Sequence, residues 1–137
     1  MTYAVSSALQ AAIFQRLSTD PELNTILGGA IFDAVPAGTL PPLYVMLGAE
    51  NVRDASDKTG AGAIHEFVVS VVTENAGFAS AKVAAAAVSD ALLSAPPTLA
   101  RGAIITLDFF KAKATRVENG NVRRINLIFR ARVADDT

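Results

Sequence analysis

Two periods of apolar residues run along this chain. Over residues 3–18, Val5, Ala8, Leu9, Ala12, Ile13 and Leu17 fall at helical spacing, with Gln10 and Gln15 toward water. Arg16 sits at the margin of the stripe, where its stem can pack while its head stays wet. Ser18-Thr19-Asp20-Pro21-Glu22 stops that helix and starts a shorter one, with Asp20 as N-cap and Pro21 at the first helical position. Leu23, Ile26 and Leu27 give the short helix its face, and Gly28-Gly29 ends it. A second long helix is predicted over 78–95, where Phe78, Ala81, Ala84, Ala85, Val88, Ala91 and Leu92 form a face of mostly small residues, ended by Pro96-Pro97.

The other segments read as strands. Residues 30–35 form a short one that runs into a loop rich in Pro and Gly over 36–42. Leu43 to Gly48 is nearly all apolar, as suits a strand covered on both faces. Ile64 to Thr73 is the clearest strand. Phe67, Val69 and Val71 share one face, Val68 and Val72 the other, which predicts a place in the middle of a sheet. Ile104 to Arg116 and Val122 to Val133 read as a hairpin joined at Glu118-Asn119-Gly120-Asn121, because Asn-Gly accepts positive φ at both residues. On its second strand Ile125, Leu127, Phe129, Ala131 and Val133 alternate with Arg124, Asn126, Arg130 and Arg132. The order α, short α, β, β, β, α, β, β predicts an α+β two-layer sandwich. Its sheet is mainly antiparallel, its two long helices pack on one face, and residues 1–137 make one domain.

Between these elements, residues 50–62 are the most polar stretch, holding Glu50, Asn51, Arg53, Asp54, Ser56, Asp57, Lys58, Thr59, Gly60 and Gly62. They predict a long loop or open hairpin tip of the kind that carries function.

Composition narrows the function. Charged residues make up 18% of the chain, against about 25% in an average globular protein. With so many Ala and Val residues, that deficit predicts surface covered by other subunits. Cysteine is absent, which excludes disulfides, thiolate metal sites and Cys nucleophiles. The charge is split: residues 1–60 carry three basic groups against six acidic, residues 61–137 nine against seven. Neither half has the basic excess of a nucleic-acid-binding domain. No apolar run is long enough to span a bilayer, and the first residues lack the pattern of a signal peptide, so the chain is expected to be soluble and not exported by the usual route.

Candidate chemistry is thin. The one histidine, His65, opens the central strand and has no second His or Cys to complete a metal site, so a structural or exposed role is predicted. The serines lack a Gly-x-Ser-x-Gly elbow. Glu66 and Asp108 are placed for cross-strand pairing with Lys111, Arg124 or Arg130. Lys58-Thr59-Gly60-Ala61-Gly62 has its glycines after the lysine and leads into a strand, unlike a phosphate loop. The arginines of the last hairpin have no aromatic partners on their polar face. They predict a charge-protected edge or a subunit interface before single-strand binding. No catalytic set, cofactor or metal site is predicted. Partner contacts are expected at Glu50, Arg53, Asp54, Asp57 and Lys58 of the loop, and at Arg124, Arg130 and Arg132 of the hairpin.

The pattern as a whole resembles the tail terminators, or tail-completion proteins, of long-tailed phages and gene transfer agents. The resemblance runs through Ala8-Leu9-Gln10-Ala11-Ala12-Ile13-Phe14-Gln15-Arg16-Leu17 and the short 20–27 helix. It continues through Ile31-Phe32-Asp33-Ala34-Val35-Pro36 and Leu40-Pro41-Pro42-Leu43-Tyr44-Val45-Met46-Leu47-Gly48. Its last parts are the strand from His65 to Thr73 and the helix ending in Ala91-Leu92-Leu93. It implies a non-enzymatic virion protein, assembled in the bacterial cytoplasm. It also implies a homo-oligomeric ring, usually a hexamer, that caps the head-proximal end of the tail tube and stops its polymerisation. The implied partners are the major tail tube protein and the head-side connector, with DNA passing through the lumen. A neck adaptor of the same particle and a small-ligand-binding module are the competing readings. The 50–62 loop is expected to order against the tube or the connector.

Overall fold

The computed structural model describes residues 3–34, 36–56, 60–117 and 121–135. Its elements are α1 (Ser6–Thr19), α2 (Pro21–Leu27), β1 (Ile31–Phe32), β2 (Leu43–Asp54), β3 (Gly62–Thr73), α3 (Ala79–Leu93), β4 (Ala103–Val117) and β5 (Val122–Ala134). The break between the first two helices is made as the sequence predicts. Asp20 accepts a hydrogen bond from the Leu23 amide at 3.0 Å, Pro21 fills the first helical position, and Gly28 takes a left-handed φ of 59° to end α2.

The five strands form one sheet in the order β1-β2-β3-β5-β4. Only β1 pairs in parallel, with β2; the other pairs are antiparallel. The fold is α+β. The strand run apolar on both sides, β3, is central as expected. One face of the sheet presents Val45 from β2, Phe67, Val69 and Val71 from β3, and Ile125, Leu127, Phe129 and Ala131 from β5, all buried. They join Leu9, Ile13 and Leu17 of α1 and Ala84, Val88 and Leu92 of α3 in a single core. Within the helix layer α1 contacts β1, α2 and α3, while α3 contacts β3, β5 and β4. The layer therefore runs from α1 at the β1 edge to α3 beside β5. Arg16 ties the two long helices together. Its guanidinium donates to the carbonyls of Ala91 at 3.2 Å and Ala95 at 2.7 Å, which the end of α3 leaves without helical donors.

Three expectations change. The short strand shrinks to Ile31–Phe32, with Asp33 and Ala34 already in a bend. The polar stretch is not a loop from residue 50. Strand β2 continues through Asp54 and β3 begins at Gly62, so only residues 55–61 lie between the two strands. Asp57, Lys58 and the Asn119-Gly120 turn lie outside the described residues. Finally, β4 is a 15-residue strand in which no residue is buried, although its sequence reads as half apolar. The ends of β4 and β5 meet where Gly102 takes a φ of 73°. A Cβ there would stand 2.5 Å from the Ala134 carbonyl oxygen, so only glycine fits.

Candidate interaction surfaces

The polar cluster nearest to chemistry is built by a bulge. Leu47 pairs with Val69 and Glu50 with Phe67, so β2 carries one extra residue between them. Without it the alternation would point Glu50 outward. With it, the carboxylate turns under α1 toward His65, which is fully buried. His65 Nδ1 lies 3.1 Å from one Glu50 oxygen, and the other accepts from Ser6 Oγ at 2.7 Å and from the Tyr3 hydroxyl at 2.8 Å. The Tyr3 ring stacks on His65 with centroids 6.4 Å apart. Burial pushes the Glu50 carboxyl up, but the hydrogen bonds from His65, Ser6 and Tyr3 outweigh it and hold the group below its ordinary value of 4.5.

Ser, His and Glu in contact invite comparison with a nucleophile relay, and the geometry rules that out. Ser6 and His65 both bond to the carboxylate, not to each other, and His65 Nε2 is buried without a hydrogen bond. The cluster fixes the start of α1 to the sheet. His65 has the structural role predicted for it, but in the core, four residues into β3 and not at an exposed strand end. Among the described residues no group of three His, Asp or Glu side chains is placed to hold a metal.

The other face of the sheet carries no helix and is basic. Arg130 stands opposite Glu66 on one side and Asp108 on the other, and its Nε donates to Glu66 at 3.0 Å. Its guanidinium carbon lies 3.4 Å from the centre of the Phe110 ring, so the polar face does hold an aromatic partner, contrary to the expectation from sequence. Arg132 donates to the Ala55 carbonyl at 3.3 Å and so holds the turn between β2 and β3. Arg124 lies across β3, with a guanidinium nitrogen 4.0 Å from Met46 Sδ. Arg53 is exposed on β2. Asp54 orders the turn by accepting from the Ser56 hydroxyl at 2.6 Å and the Ser56 amide at 3.1 Å. The Ser56 bonds draw its carboxyl below the usual range.

The residues expected to meet partners therefore divide. Arg53, Arg124, Arg130 and Arg132 share one sheet face, and Asp54 shapes the tip beside it. Glu50 faces the opposite side, half-buried against His65, because the bulge reverses it. Sequence reasoning missed Tyr3 and Ser6 as its partners. The only available signal was Gly48-Ala49, which interrupts the apolar alternation just before Glu50.

Two surfaces remain that the sequence did not point to. An open cleft of about 570 Å³ runs along the outer side of α1, lined by Tyr3, Ala4, Ser7, Ala11 and Phe14, with Asp33 at its margin. At the opposite sheet edge, β4 exposes Ile105 (55%), Phe109 (45%) and Phe110 (39%). Phe109 meets the buried Phe129 edge-on at 5.9 Å on the helix side, and Phe110 lies with Arg130 on the bare side.

No curated protein matches the chain. A solved structure does: a chain from the "Virion of native gene transfer agent (GTA) particle" is 59% identical, with a TM-score of 0.92. The match covers 97% of this chain and 99% of that one. Residues 11–134, from the middle of α1 to the end of β5, match the family described as tail completion protein gp17. With that span matched, and with the α+β sheet the resemblance implied, the chain belongs to the tail completion protein gp17 family.

Proposed function

We propose that this chain is a structural subunit of a phage-like tail. In this reading it forms a ring that caps the head-proximal end of the tail tube, ends its polymerisation and joins it to the head-side connector, with DNA passing through the lumen. The observation that carries the reading is the likeness over nearly the whole chain, at 59% identity, to a chain of a gene transfer agent virion, together with the tail completion family match. The molecule supports it in two ways. Its polar cluster is braced for structure, and its accessible features are surfaces: a cationic sheet face and an uncovered edge strand. A ring closes when one surface of a subunit meets a different surface of the next.

The turn between β2 and β3 and the cationic face beside it are the proposed contacts to tube and connector. Arg53 and Asp54 belong to β2, so the informative variant replaces only residues 57–60 with glycine and serine. The chain should fold, and tails should lose their cap. The direct test is deletion of the gene in a producing strain, followed by electron microscopy. Tails of uncontrolled length or heads without joined tails are expected, restored by the intact gene. Tails of normal length joined to heads would overturn the reading.

A further inference from the structure

In a two-layer fold helices cover the inner side of the sheet, and here α3 reaches β4 without burying any of its residues. The helix layer begins with α1 at the β1 edge and ends with α3, which contacts β3, β5 and β4. Along the helix side of β4, Phe109, Ala112 and Ala114 stand exposed, although they oppose Phe129, Leu127 and Ile125, which are buried on β5. A ring of Phe and two Ala is the surface a helix packs on.

We infer that α1 of a second copy completes the layer: the α1 cleft of one subunit seats on the helix side of β4 of the next, with Phe109 entering the cleft. The inference rests on the ring reading and goes beyond it by naming both surfaces. Three observations select a second copy as the occupant.

The first is position. The cleft and β4 sit at opposite edges of the same sheet, so joining them is head-to-tail and repeats from copy to copy. The second is charge. Among the described residues Asp33 is the only charged one lining the cleft, while the helix side of β4 carries the exposed Arg116, in line with Phe109, Ala112 and Ala114. Arg16, the one cation of α1, is turned away to the end of α3. The third is area. The chain exposes 7370 Å², whereas a compact monomer of 14.2 kDa exposes about 6,800 Å². β4, about 50 Å long and with no buried residue, is one contributor to that exposure. The excess is of the order of the roughly 800 Å² per partner of a stable interface. The apolar pair is matched in kind, since Phe14 and the exposed Tyr3 line the cleft that would receive Phe109.

The chain has no cysteine, so introduced ones report without background. Ala11→Cys and Ala112→Cys are both exposed and small. The double variant, oxidised as purified full chain and again within particles, should give a ladder of covalent multiples. Mixing the two single variants should give one heterodimer. Phe109→Ala should weaken self-association about 10- to 100-fold by sedimentation. It should leave the melting curve nearly unchanged, which separates lost contact from lost fold. Arg116→Glu should weaken association too, and Asp33→Arg should restore part of it. Rings that form without the crosslink, and with full affinity in Phe109→Ala, overturn this interface and leave the ring reading standing. A chain that stays monomeric to about 1 mM and yields no crosslink in particles overturns the interface as well. The tail role is then decided separately, by the deletion phenotype.

Discussion

Strands β3 and β4 are built from similar residues and live in different surroundings. Nine of the twelve residues of β3 are buried and none of the fifteen of β4. Val, Ile and Phe are plentiful in both. What separates them is neighbours: β3 has a strand on each side and helices over one face, whereas β4 has β5 on one side only and is incompletely covered by α3. Most apolar residues of β3 are sealed in the monomer's core, while Ile105, Phe109 and Phe110 of β4 are left open to solvent. The pair teaches that burial belongs to the arrangement and only secondarily to the residue.

Substitutions in the two regions should separate stability from assembly. The largest effect is expected at the centre. Phe129→Ala removes a fully buried ring packed against Phe67 and Phe109 and should cost about 3–5 kcal/mol in urea unfolding. The matching change on the edge, Phe109→Ala, should cost well under 1 kcal/mol; equal losses at both positions would erase the distinction between them.

Next comes the cluster that anchors α1. Glu50→Ala leaves His65 Nδ1 buried without an acceptor and should cost about 1–3 kcal/mol. Gly102→Ala should cost a similar 1–3 kcal/mol, from positive φ and collision with the Ala134 carbonyl, read in the same assay.

The pH response is smaller and has a definite sign. Glu50 is held below its ordinary 4.5, so it contributes stability above that value, lost as pH falls through the lower folded value. Melting curves should therefore drop below about pH 4.5, and Glu50→Gln should flatten that part of the slope. The smallest effect belongs to the bare sheet face. Arg130→Ala removes a half-exposed pair with Glu66 and the stack on Phe110, and should change stability by no more than about 1 kcal/mol. A greater loss would mean that this face is braced for folding and not kept for partners.

Much of this was legible in the sequence. The α1 stripe, the Asp20-Pro21 break, the central place of β3 and the inward set on β5 all follow from spacing, because local geometry decides them. Glu66 and Arg130 were among the partners foreseen, since strand alternation puts them on one face. The end of β2 was not legible. Polar residues 50–54 look like a loop, and they form a strand because β3 supplies the backbone partners. The exposure of β4 was hidden for the opposite reason. Ile104, Ile105, Leu107, Phe109 and Phe110 all look like core, and nothing local records that only Ile104 and Leu107 pack against it. Of the candidate contact residues, the arginines came together on one face as their alternation implied, while Glu50 went inward through a shift that alternation alone does not reveal.

That shift makes β2 sensitive to chain length as well as to residue type. Gly48-Ala49 counts as a frame for all that follows it to Asp54. Removing one residue there would exchange the two sides of the strand, carrying Arg53 toward the helices and Glu50 into the cationic row. An alignment of relatives should therefore tolerate many substitutions at position 49 and almost no gap. A deletion that would pass unnoticed in a turn would here turn the hairpin tip inside out.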